Sequence, residues 1–157
     1  MSDILEVTTL RNRILGYLAR RDYSRHELRQ KVLKFASDRQ MLEQVLDELV
    51  QLDLLCDKRF ACMLVRHKAN AGYGPARIRQ WLTQHHIPKS MAVFVMAEAN
   101  LNWQVIAHRQ LNKHFGVIEP MNIKQQARKI RYLYNRGFSQ NDIRAVVTVT
   151  DDALDVS

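Results

Sequence analysis

Six histidines, two cysteines and one pair of adjacent acids are the residues of this chain with reactive chemistry to offer, and their spacing assembles none of the usual catalytic arrangements. His67 shares a helical face with Phe60, Met63 and Leu64, which is the setting of a core histidine more than of a metal ligand. His85 and His86 stand together at a helix end, where imidazoles can serve the terminal carbonyls. Cys56 and Cys62 lie six apart and match neither a redox Cys-x-x-Cys nor a zinc knuckle. Cys62 falls on one helical face with Arg59 and Arg66, which would favour a thiolate, but no general base stands at a matching spacing. Asp151-Asp152 sits in a short acidic tail and reads as a frayed end, not a magnesium site. Gly72-Tyr73-Gly74-Pro75 lacks the Gly-Lys-Ser/Thr that cradles phosphates, and no Gly-x-Ser-x-Gly or His-Glu-x-x-His occurs. The expectation is a protein that binds and does not catalyse, with no metal and no cofactor.

Charge indicates what it binds. Against 16 acids there are 24 Lys and Arg, a formal excess of +8, and such an excess points to an anionic partner. A surface that is merely solvated is the alternative. The cations are grouped. Residues 58–79 carry Lys58, Arg59, Arg66, Lys68, Arg77 and Arg79 with no acid, and residues 121–149 carry Lys124, Arg128, Lys129, Arg131, Arg136 and Arg144 against Asp142 alone. Residues 38–53 instead hold five acids and Arg39. Lys58, Arg66, Lys68, Arg77, Arg79 and the six cations of the second group are therefore the candidate contacts to a partner or nucleic acid.

The elements that present these residues read as helices. Leu, Ala, Gln, Arg and Lys dominate, with only five Gly and three Pro, a composition that favours helices over a loop-rich sandwich. Apolar stripes of helical period run through Leu10, Ile14, Tyr17 and Leu18, then Leu28, Val32 and Leu33, then Met41 to Leu52, then Phe60, Met63, Leu64, His67 and Ala71. Further helices are expected over 75–86, 89–99, 103–115, 121–136 and 139–149, nine in all. Gly72, Gly116 and Gly137 fall at C-caps, Pro75 at a first turn, and Pro88 and Pro120 in breaks. Ser24 with Glu27 has the spacing of a capping box. In the 121–136 helix, Ile123, Ala127, Ile130 and Tyr134 form the expected buried face, Lys124, Arg128 and Arg131 one basic flank, and Lys129 and Arg136 the other. The longest apolar stretch, 91–97, is far below the roughly 20 residues a membrane span needs, and residues 1–10 do not read as a secretory signal.

One pattern occurs three times. Tyr23-Ser24 followed by Leu28-Arg29 and Val32 aligns with Tyr73-Gly74, Ile78-Arg79 and Leu82. Both align with Phe138-Ser139, Ile143-Arg144 and Val147. An aromatic before the cap can staple the next helix, and two aliphatic residues four apart point inward together. A duplicated helical unit follows, with the spacings of 50 and 65 residues showing that the third copy is shifted or enlarged. The expected fold is all-α: three tandem three-helix repeats over 1–55, 56–100 and 101–157, the last with the acidic tail, stacked into an elongated, curved body. The recurring Arg29, Arg79 and Arg144 could close a repeat interface or meet a partner.

Arg21-Asp22-Tyr23-Ser24-x-x-Glu27-Leu28-Arg29-x-Lys31 resembles the first repeat of the RecX family. Arg59-Phe60-Ala61, then Gly72-Tyr73-Gly74-Pro75-x-x-Ile78-Arg79-x-x-Leu82, resembles its most characteristic segment. Residues 129–138, with Asp142-Ile143, look like its third repeat. The likeness spans 10–149, with one departure: Cys56 stands where the family has the first Asp of a Leu-Asp-Asp turn, while Asp57 keeps the second. The resemblance implies a monomeric regulator of homologous recombination and the SOS response. It would lodge in the groove of the RecA filament on single-stranded DNA, limit extension and lower ATPase, strand-exchange and co-protease activities. Two readings of another class stand beside it: direct binding of DNA through the same cations, with Arg77, Gln80 and Gln84 on one face, and a helical scaffold for some other protein. Two thiols in this chain suit a reducing, cytoplasmic setting.

Overall fold

Each helix begins and ends where a side chain or a glycine can satisfy the backbone groups a helix terminus leaves open. The computed structural model describes residues 2–116 and 122–147; Asp151-Asp152 and Pro120 lie outside them. Among the described residues there are nine α-helices and no strand: α1 (Ser2–Leu18), α2 (Arg25–Val32), α3 (Arg39–Gln51), α4 (Asp57–Asn70), α5 (Pro75–Gln84), α6 (Lys89–Ala99), α7 (Trp103–Phe115), α8 (Ile123–Asn135) and α9 (Gln140–Val147). A single 3-10 turn, Leu33–Phe35, follows α2.

Ser24 caps α2 by accepting the Glu27 N–H at 3.0 Å. Glu27 does not return the bond as the expected box requires; its carboxylate pairs with Arg21 at 2.6 Å. The Arg25 N–H donates to Asp57 Oδ1 at 2.8 Å, so the surviving acid of the Leu-x-Asp turn serves the start of another helix. Asn122 and Gln125 form a reciprocal capping box at α8. Gly72, Gly116 and Gly137 all have positive φ at helix ends.

By its contacts the chain divides into Met1–Met63 with Leu82–Ala92, and Leu64–Trp81 with Val93–Ser157. In the first unit α1 packs on α2 and α3, burying Leu10, Ile14, Leu28, Val32, Leu42 and Leu46 among others. Each such side chain contributes about 1.5–3 kcal/mol relative to exposure. Charged pairs fasten the same helices. Arg29 holds Glu43 through Nε and through a second bond of 3.1 Å. Arg25 reaches Glu43 and Asp47, both at 2.7 Å. Arg29 thus closes an interface within its own unit. His26 stacks on His86 with centroids 3.6 Å apart, and His85 Nδ1 lies 3.4 Å from Ser24 Oγ. The adjacent histidines therefore meet the start of α2, where the sequence suggested the end of their own helix.

In the second unit α7, α8 and α9 pack on one another, and Ile106, Ala107, Leu111, Leu133, Phe138 and Ile143 are buried. Two turns of different repeats are joined by their backbones. Gly74 N–H donates to Arg136 O at 2.7 Å and Ala76 N–H to Gly137 O at 3.0 Å. A Cβ on Gly74 would strike the Gly137 carbonyl carbon, and one on Gly137 would strike the backbone of Arg77. Only glycine permits this approach. Two burial expectations fail. His67 is exposed, because α4 turns Phe60, Ala61, Leu64, Val65 and Ala69 inward. The α8 stripe is the second.

Candidate partner-binding surface

Helix α8 is turned so that its apolar stripe lies outside. Ile123 is 86 % exposed, Tyr134 64 % and Ile130 41 %, and Ala127 is exposed as well. The buried position is Leu133, with Gln126, Lys129 and Tyr132 half-buried. Contacts with α7 set this rotation. Gln110 Nε2 donates to Tyr132 Oη at 2.8 Å. The Tyr132 ring stacks on His114 at 4.1 Å and meets Phe115 edge-on at 5.3 Å. With 3.6 residues per turn, the apolar stripe is left roughly a quarter turn from the Leu133 side.

The basic flank stays outside too. Lys124, Arg128 and Arg131 are exposed along one line of α8, a helix without a single acid. Lys129 lies 5.9 Å from the Phe115 ring, on the inward side. Arg136 is committed internally: its guanidinium donates to Gly72 O at 2.8 Å and to Ala71 O at 2.6 Å, and lies 4.0 Å over the Tyr73 ring. Its position beside Gly137 was the available signal, since a cation at a turn readily finds carbonyls. Arg144 is exposed on α9 and, with Arg131, borders a groove floored by Ile130, Tyr134, Ile143 and Val147.

A second grouping within that unit is cationic and aromatic. Lys68 lies 4.2 Å and Arg77 4.4 Å from the Trp81 ring centroid, and Tyr73 meets Trp81 edge-on at 4.7 Å. Such contacts are worth about 0.5–1 kcal/mol when exposed. Arg77 also donates to Gln80 at 2.9 Å, which ties down part of the suggested base-reading face. Arg66 and Arg79 are exposed on α4 and α5. Lys58 is exposed in the first unit. The structure therefore gathers Lys68 with Arg77, and Lys124, Arg128 and Arg131 with Arg144. The groove beside the second group was missed, although its residues were all named, because periodicity marks an apolar stripe without saying what covers it.

Two family models match the chain: "RecX, second three-helix domain" over 57–92 and "RecX, third three-helix domain" over 104–147. The regulatory protein RecX of Pseudomonas fluorescens is 30% identical over 145 residues, covering 92% of this chain and 94% of the relative. This chain belongs to the RecX family. The regulatory protein RecX of Halorhodospira halophila is 32% identical over 143 residues, 91% of this chain and 89% of the relative. Among solved structures, RecX from Lactobacillus salivarius superposes with a TM-score of 0.77 at 20% identity, covering 96% of this chain and 99% of that one. The all-helical architecture is thus a RecX fold, and its named relatives are regulatory proteins. No helix of the described residues is long and apolar enough to cross a membrane.

Proposed function

We propose that this RecX-family chain binds the RecA filament on single-stranded DNA and limits its extension, acting as a cytoplasmic monomer without catalysis. Lower recombinase, ATPase and co-protease activities follow from shorter filaments. The observation that carries the reading beyond family membership is the acid-free, exposed line Lys124, Arg128 and Arg131 on a helix whose opposite contacts hold it fixed. A filament coated with protein and nucleic acid is a polyanionic surface, and a fixed row of cations is suited to it. Three repeats over 1–55, 56–100 and 101–157 are the proposed units, with Lys58, Arg66 and Arg79 as further contacts.

The test is RecA ATPase on single-stranded DNA with substoichiometric amounts of this protein. Inhibition is expected to be strongest while filaments grow, and a need for one molecule per RecA protomer would reject growth limitation. Changing Lys124, Arg128 and Arg131 to Glu leaves the melting temperature nearly unchanged, because surface substitutions cost about 0.5 kcal/mol or less, and abolishes inhibition. A folded triple variant that still inhibits at the same concentration would refute the assignment. The second reading, direct DNA binding, draws on the Lys68–Trp81–Arg77 grouping. It predicts RecA-independent binding whose logarithm falls with log salt at a slope of about 0.7 per phosphate contacted on single strands.

A further inference from the structure

The groove between α8 and α9 has a volume of about 600 Å³ and a shape that the basic ridge alone does not require. Ala127, Ile130 and Tyr134 supply one wall at spacings of three and four residues, and Ile143 and Val147 supply the other at four. The bottom is closed, since Ile143 is 4% and Val147 1% exposed, while the α8 wall is open to solvent. Two parallel ridges of helical spacing with a furrow between them are what a third helix packs into.

The rim settles the charge of that helix. Arg131 and Arg144 border the groove, and Lys124 and Arg128 continue the line along α8. The single acid of α9, Asp142, falls on the far side of its helix from the groove-lining residues by the 3.6-residue period. We propose that this groove takes an acidic amphipathic helix of a partner protein. Aliphatic residues at i, i+3 or i+4, and i+7 fill the furrow, and Glu or Asp on the adjoining flank meets Arg131 and Arg144. A nucleic acid would use the rim and leave the apolar wall uncovered. A second copy of this chain would bring the same cations against themselves in a two-fold contact. The ten residues after Val147 would have to reverse direction and still lay down two helical turns, which alone take about seven residues.

The proposal does not depend on RecA and is tested without it. A fluorescein-labelled, helix-favouring peptide of about fourteen residues, with Leu at i, i+3 and i+7 and Glu beside them, is titrated with the full chain by anisotropy. Saturable binding is expected, weakened about tenfold or more by scrambling the peptide, and about tenfold by Ile130→Glu or Tyr134→Ala in the protein. Both positions are exposed, so circular dichroism and melting should stay unchanged, and the two variants check one another. Equal binding of the scrambled peptide would reduce the site to charge and overturn the proposal, as would no saturable binding. Binding only after removal of residues 148–157 would give the groove to the chain's own end. Self-association abolished by Ile130→Glu would give it to a second copy. Either outcome overturns the proposal. If the peptide binds as described while RecA is not inhibited, the filament reading falls and the groove stands.

Discussion

Replacing Glu43 by Gln removes the one carboxylate that two arginines of α2 share on α3. The hydrogen bonds from Arg29 are the largest influence on it; burial works against them, and Arg25 adds to them, bringing the carboxyl from the usual 4.5 to about 2. At about 1.4 kcal/mol per factor of ten, that displacement corresponds to an upper bound of about 3 kcal/mol. The Glu43 side chain is 32% exposed and those of Arg25 and Arg29 are 26% and 21% exposed, so solvent screening reduces the expected contribution to about 1–2 kcal/mol. The sign follows from proton binding. Between about 2 and 4.5 the unfolded chain holds more protons at this position than the folded one, so stability rises with pH there. The contribution is complete above 4.5 and lost as the pH falls towards 2. Urea denaturation of the full chain and of Glu43→Gln at pH 7, 4 and 3 measures it. The variant should be about 1–2 kcal/mol less stable at pH 7, and the gap should narrow as the pH drops. A gap that stays constant down to pH 3 would show that the ion pairs do not hold α2 to α3.

Three other outcomes are expected. Gly137→Ala puts a side chain at a φ of +95° against the Arg77 backbone, and should cost at least about 1–3 kcal/mol in a denaturant titration. Gly16→Ala, inside α1 with nothing near its Cβ, should instead gain about 0.5–1 kcal/mol. His26 is pushed below 6.5 by burial first, then by His86, Arg29 and His85. The unfolded chain is therefore the better proton binder just below 6.5, and stability is lost as the pH falls through that range. His26→Phe keeps the ring stacking and should flatten the pH dependence of melting between about 7 and 5.

Helix positions were legible because capping and period are local. Ser24, Pro75, Gly72, Gly116 and Gly137 mark ends through properties of one or two residues, and the chain places helix ends there. Rotation was not legible for α8. Its clean stripe of Ile123, Ala127, Ile130 and Tyr134 faces out because Gln110, His114 and Phe115, all on another helix, hold the Tyr132 side. Nothing in a single helix encodes which neighbour claims it. The recurring arginine shows the same limit. Arg29 clamps Glu43, whereas Arg144 borders the α8–α9 groove; identical places in the pattern serve different ends.

The backbone bonds from the turn at Gly74 to the one at Gly137 impose an order on biosynthesis. The first unit draws on nothing beyond Ala92, so its helices can pack while later residues are still being added. Gly74 N–H and the Gly72 carbonyl must wait for Arg136 and Gly137, which lie more than sixty residues downstream. At about 5–20 residues per second, that turn stays unpaired for about 3–13 s in every molecule made. During that interval a chaperone or protease meets a nascent chain whose first unit can already be closed and whose middle turn is still open.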